Sequence, residues 1–144
     1  MRYFAAFVAL ALAQPAAAGE YRSIAESGTL MYDAPSVRAK KLFVASRYYP
    51  VEIVINIDAW AKVRDQTGDL TWVEKKALSD KRTVVVTAPV ADVRQSPGDQ
   101  AALVFRAQQG VALDIVEPQA GGWIKVRHVD GQVGYVKINQ VWGL

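Results

Sequence analysis

From Glu20 onward, apolar and polar positions alternate in short runs that are broken by Gly, Pro and Asp. In Lys62-Val63-Arg64 one apolar residue sits between two cations, so Val63 faces one way and both cations the other, as in a half-buried strand. No apolar run of ten or more residues keeps a 3.6-residue period, so no ordinary amphipathic helix is expected. The pattern predicts strands at Tyr21–Ala25, Thr29–Tyr32, Leu42–Ser46 and Val51–Ile57, then a hairpin over Trp60–Val73 that turns at Gly68. A polar loop bearing Pro35 fills Asp33–Lys41, and Glu74–Leu78 has room for a single helical turn. Further strands follow at Thr83–Thr87, Ala91–Arg94, Leu103–Ala107 and Val111–Val116, with a loop at Gln95–Gln100. A second hairpin spans Trp123–Val136 and turns at Gly131, and Lys137–Val141 closes the chain's pattern.

The second set of elements is the first written again. Trp60, Lys62, Val63, Arg64, Gly68 and Val73 recur as Trp123, Lys125, Val126, Arg127, Gly131 and Val136. Pro50–Val54 aligns with Ala112–Val116, Leu42-Phe43 with Val104-Phe105, and Asp33–Ser36 with Gln95–Gly98. The offset is 62 residues up to Val54 against Val116, and 63 from Trp60 against Trp123, so one extra residue falls in the turn Glu117–Gly122. Insertions collect in loops, which supports the alignment. Two units of about 60 residues are too few for a solenoid and suit tandem small domains. The expected fold is all-β: two tandem small barrels after a leader, with the leader at residues 1–18 and the domains at 19–81 and 82–144. The linker Ser79–Arg82 runs straight into Thr83–Thr87, so the barrels are expected to dock rigidly with that strand common to both.

The leader is an N-terminal exception to the strand pattern. Arg2 is followed by an unbroken apolar run, Tyr3–Leu12, then by Pro15 and by Ala16-Ala17-Ala18. Charged, apolar and small segments in that order predict a secretory signal peptide cleaved before Gly19. A membrane span needs about 20 apolar residues, and this run is shorter. No Cys follows it, so no lipoprotein anchor is expected, and the protein is expected in the periplasm or secreted. The formal charge of +3 falls by one with Arg2, leaving a near balance that gives no reason to expect nucleic acid. The chain has no cysteine, which removes disulfides, thiol nucleophiles and thiolate metal sites, while exported proteins do not require disulfides.

The repeating unit resembles the bacterial SH3-like (SH3b) domain of exported proteins. Pro35, Trp60, Val63, Gly68, Trp72 and Val73 carry the resemblance in the first unit. Val93, Arg94, Pro97, Trp123, Val126, Gly131, Gly134, Tyr135 and Val136 carry it in the second. It covers nearly the whole mature chain and is similar to tandem-SH3 exported proteins of Gram-negative bacteria. The first unit departs from the family's Asn-Val-Arg-Ser-type opening: Leu30-Met31-Tyr32 stands where the second unit keeps Asp92-Val93-Arg94. The resemblance implies SH3-like barrels and a non-catalytic binding role toward a protein partner or a cell-wall peptide. It also admits an accessory subunit that targets or regulates a wall hydrolase.

Catalytic constellations are thin. His128 is the only histidine, placed in a strand beside Arg127, and reads as a solvated strand residue. Without Cys there is no Cys–His peptidase, and no nucleophile elbow surrounds a Ser. The carboxylates are scattered singly, no Gly-rich phosphate loop occurs, and neither metal nor cofactor is implied. A small wall-active enzyme is the least favoured reading. Aromatics are more informative, because SH3-type grooves for extended peptides are aromatic-lined. Trp60 and Trp72 have counterparts in Trp123 and Tyr135, as packing positions would. Tyr32, Tyr48 and Tyr49 face Arg94, Gly110 and Val111 in the second unit, so they suggest a site in the first unit only. Arg38, Lys40 and Lys41 lie in the loop that would rim such a groove. The candidate ligand-binding residues are therefore Tyr32, Tyr48, Tyr49, Trp60, Trp72, Arg38, Lys40 and Lys41.

Overall fold

The computed structural model describes residues 19–144, so the expected signal peptide and its cleavage site lie at and before the edge of the described residues. Seven strands come from the first unit: β1 (Glu20–Ile24), β2 (Thr29–Tyr32), β3 (Lys41–Ala45), β4 (Pro50–Ile57), β5 (Trp60–Arg64), β6 (Leu70–Glu74) and β7 (Leu78–Ser79). Seven more come from the second: β8 (Thr83–Val86), β9 (Val90–Arg94), β10 (Leu103–Gln108), β11 (Ala112–Ile115), β12 (Trp123–Arg127), β13 (Val133–Lys137) and β14 (Val141–Trp142). The first sheet runs β3-β2-β6-β5-β4-β1-β7 and the second β10-β9-β13-β12-β11-β8-β14, one order used twice. The expected single helical turns are 3-10 turns at Lys75–Ala77 and Ile138–Gln140.

Alternation sets the hairpins. Ala61 pairs with Val73 and Val63 with Thr71, and all four are buried, while Lys62, Arg64 and Trp72 face outward between them. The second hairpin repeats the register, Ile124 with Val136 and Val126 with Gly134. Each sheet wraps its own core. Ile24, Met31, Val51, Val63 and Val73 anchor the first, and Val86, Val93, Leu113, Ile124, Val126 and Val136 the second. Each such side chain stabilises by about 1.5–3 kcal/mol on burial, which small units of this kind need.

Two expectations require correction. The sheets are not closed barrels: β3 and β7 end the first, β10 and β14 end the second, and among the described residues these edges do not pair. The last strand of each sheet is only two residues long, too short to complete a ladder across the gap. Nor is the strand at Thr83–Val86 common to both sheets, since among the described residues β8 pairs only with β11 and β14. It contributes to the seam by its other face. Val84 and Val86 enter the second core, while Thr83 and Val85, alternating with them, are equally buried on the side where β8 meets β4. Trp142 meets Tyr21 edge-on at 5.4 Å, and Gly143 lies close against Pro50.

Candidate binding cleft at the seam

The turn between β3 and β4 is held by a fixed set of backbone bonds. Tyr48 N–H donates to the Ile24 carbonyl at 2.8 Å, Ile24 N–H to Tyr49 at 3.0 Å, and Tyr49 N–H to Ser46 at 3.2 Å. The second unit repeats them through Gly110 to Val86, Val86 to Val111 and Val111 to Gln108. The geometry forces a left-handed residue at the tip. Gly110 adopts it with φ 88°, and Tyr48 with φ 72°. Glycine takes this conformation freely, whereas a side chain there costs about 1–2 kcal/mol.

That tyrosine stands at the junction of the two units. Its carbonyl accepts the Thr83 hydroxyl at 2.6 Å. Its ring lies beneath Lys81, whose Nζ is 4.6 Å from the centroid, and beside the Arg47 guanidinium at 4.8 Å. Next to the ring opens a cleft of about 250 Å³, walled on the far side by Asp114, Arg127, His128 and Gly131 of the second unit. Asp114 is largely buried, with Lys81 Nζ at 3.1 Å and Arg127 Nε at 3.9 Å from the same carboxylate oxygen. Two cations against one carboxylate leave the cleft electropositive. His128 sits at its rim with its ring tilted on Phe105 at 5.7 Å. Its Nδ1 is 3.3 Å from the Asp130 N–H and 3.0 Å from the Asp130 carboxylate. Neutral, it accepts from the first; protonated, it donates to the second.

The eight residues singled out in the sequence fall in three places. Tyr32, Trp60 and Trp72 share the outer face of the first sheet, where Tyr32 is 4% exposed and meets Trp60 edge-on at 5.4 Å. Trp72 stands opposite Tyr32 in the register of β2 and β6. Tyr49 packs against the first core, and burial pushes its hydroxyl pKa above the ordinary value. Arg38, Lys40 and Lys41 are exposed around the start of β3, in a loop that Asp33 closes by accepting the Lys40 N–H at 3.0 Å. Only Tyr48 reaches the cleft.

Lys81, Asp114, Arg127 and His128 were not among those eight. Lys81 read as a linker charge, and Arg127 and His128 read as solvated strand residues. The aligned pair Tyr48 and Gly110 was the available signal, because a tyrosine at a glycine turn position needs a reason.

A family model described as the bacterial SH3 domain matches residues 25–80 and again residues 87–143. No curated protein matches the chain. Similar solved structures include NlpC2 from Trichomonas vaginalis, 15% identical with a TM-score of 0.38 over 85% of this chain and 46% of that one. NlpC1 from the same organism is 16% identical, TM-score 0.37, over 88% of this chain and 47% of that one. An NlpC/P60 family protein from Bacillus cereus ATCC 10987 is 15% identical, TM-score 0.40, over 85% and 56%. The chain spans about half the length of these structures.

Proposed function

Because the chain belongs to the bacterial SH3 domain family in both halves, we propose that it is an exported, non-catalytic binding module. In this reading it works in the periplasm and holds an extended peptide, from a protein partner or from the cell wall, in the cleft between its two units. The observation that carries the reading is the backbone of Tyr48. A strained residue persists only where its surroundings impose it, and such residues concentrate at functional sites. The second unit makes the same turn with Gly110 and no strain, so the turn itself does not need the ring. The ring forms a flat wall beside a cleft in which Lys81 and Arg127 outnumber Asp114. An aromatic face with a carboxylate-binding pair beside it suits a peptide that ends in, or carries, a carboxylate.

The test is titration of the isotope-labelled protein with soluble muropeptides, alongside co-sedimentation with purified sacculi over a salt series. Amide shifts centred on Tyr48, Lys81, Arg127 and His128 are expected, with retention on sacculi that survives high salt. Tyr48→Gly keeps the turn and its backbone bonds but deletes the ring. It should weaken binding about tenfold or more, as loss of an aromatic anchor does, while stability stays within about 1 kcal/mol of the parent. Undiminished binding by Tyr48→Gly removes the cleft from the mechanism. Absence of any wall binding moves the ligand to a periplasmic protein, to be captured by crosslinking from a residue at the cleft.

A further inference from the structure

The two sheets end alike in topology but not in chemistry. β3 closes one side of the first sheet, and among the described residues no strand pairs with its outer side. It exposes Leu42 (45%), Phe43 (36%) and Val44 (60%) in succession. A free edge with that surface is a template for another strand. The equivalent edge of the second sheet, β10, is blunted in the ways edges usually are. Arg106 replaces Val44 and donates to Asp92 at 3.0 Å, and Phe105, the counterpart of Phe43, is covered by the His128 ring. At the position of His128 the first unit has Asp65, whose carboxylate is occupied by its own turn through Thr67 and Asp69. Among the described residues no aromatic ring pairs with Phe43, which stays 36% exposed.

Charge decides what would pair there. Lys40 and Lys41 stand at one end of the exposed run, Arg47 follows at the other, and Arg38 lies in the adjoining loop. Among the described residues none of the four is in an ion pair, although nine other Lys and Arg side chains are. A second copy of β3 added antiparallel would bring Lys40 and Lys41 against Arg47, like charge on like. An added strand with carboxylates at both ends meets no such conflict.

We infer that the outer edge of β3 docks an extended segment of a partner protein, apolar in its middle and acidic at both ends, by strand addition. Main-chain bonds supply affinity, the apolar run supplies contact, and the flanking cations fix register and favour acidic partners. This surface lies outside the seam cleft, and the two meet at Arg47, whose guanidinium also lies on the Tyr48 ring.

The test uses the nonapeptide Asp-Glu-Val-Thr-Val-Thr-Val-Glu-Asp and a variant with Lys at its four acidic positions, titrated into the labelled protein. The acidic peptide should shift the β3 amides, slow hydrogen exchange along the outer edge, and bind at least about tenfold more weakly as salt rises from low to high. Val44→Arg, which copies Arg106 at a well-exposed position, and the pair Lys40→Glu with Lys41→Glu should each cost at least about tenfold in affinity. Their thermal midpoints should stay near the parent's. Three outcomes overturn the inference: no response in β3, equal binding of the acidic and basic peptides, or concentration-dependent self-association through β3, which would make a second copy the occupant.

Discussion

Tyr48 and Gly110 occupy the same turn of the two units, inside the same backbone bonds, and only the glycine suits the conformation both adopt. Asp58, at φ 50°, also takes a left-handed backbone where the second unit has glycines, but Asp is among the side chains that tolerate it. In the cores the units differ without such strain. In the row that crosses β2, β6 and β5, Met31, Val73 and Ala61 lie abreast in the first core. In the second core the row reads Val93, Val136 and Ile124. The long side chain has moved from one end of the row to the other, and the middle valine is unchanged. Ile24 with Val51 becomes Val86 with Leu113, again one methylene exchanged for another. The Ile24–Val51 exchange keeps total volume, which close-packed cores tolerate, whereas the second row is bulkier than the first, with Val and Ile where the first has Met and Ala. The two units therefore show which positions are fixed by packing and which have been released for other use. Tyr48 and Val44 fall in the second group: one is strained, the other exposed, and neither is required by its counterpart.

The sharpest break in the comparison is at Thr71 and Gly134. Both are buried on the returning hairpin strand, opposite Val63 and Val126. A Cβ at Gly134 would come within 2.7 Å of the Arg94 carbonyl and of Val93 Cγ1. The obstacle is backbone, which cannot rotate aside. Gly134→Thr, the first unit's own residue, should cost about 3 kcal/mol or more, the upper end of overpacking. Thr71→Gly should cost only about 1 kcal/mol, from chain entropy and a lost contact. Amide exchange read separately in each half would show the first substitution loosening the second unit. Equal effects in both directions would mean that β9 and β13 part as readily as β2 and β6.

The core rows offer a milder test. Met31→Val leaves a void at one end and should destabilise by about 1–2 kcal/mol. Ala61→Ile overfills the other end at a cost of about 1–3 kcal/mol. Together they rebuild the second unit's row in the first, so the double variant should be more stable than the sum of the two losses by about 1 kcal/mol. Denaturant unfolding of the four proteins measures that coupling. Strict additivity would mean that Val73 isolates the two ends.

How much of this was legible follows from where each feature originates. Strand positions were readable because alternation at Lys62-Val63-Arg64 and its copy is a local signal, and the repeat checked each assignment against a second instance. Closure was not readable. It depends on whether Leu78-Ser79 extends far enough to reach β3, and two residues carry no periodicity. The fate of Thr83–Val86 was half readable: four apolar or β-branched residues in a row predict burial on both faces, but not that the second face is covered by packing instead of hydrogen bonding. The aromatics, Tyr48 apart, do not lead to the cleft. Tyr32, Trp60 and Trp72 stand out in composition, yet they lie on one face of the first sheet, where Tyr32 meets Trp60 edge-on. The cleft draws Lys81, Asp114 and Arg127 from a linker and two strands, brought to Tyr48 by tertiary placement alone.

The smallest expected effect concerns the hairpin turns, where one job is done by two chemistries. In the first unit the Asp65 carboxylate accepts the N–H groups of Thr67 and Asp69 and the Thr67 hydroxyl. In the second, His128 stands in its place and Asp130 accepts the Gln132 N–H at 3.0 Å. That backbone bond is the main reason the Asp130 carboxyl is held below its ordinary pKa, with His128 adding to it. A depressed carboxylate stabilises the fold fully above its unfolded pKa of about 4 and loses that contribution as pH falls through the folded value. Asp130 is exposed, so the effect on global stability is slight, but it is resolvable locally. On acid titration the Gln132 amide shift should follow Asp130 with a midpoint below that of an ordinary Asp carboxyl. His128→Asn should raise that midpoint yet leave it short of the ordinary value, because the larger cause, the Gln132 N–H, remains. A midpoint that returns fully to the ordinary value would make the imidazolium, and not the backbone, the group that holds this turn. The second unit's turn would then depend on a cation, and the first unit's on none.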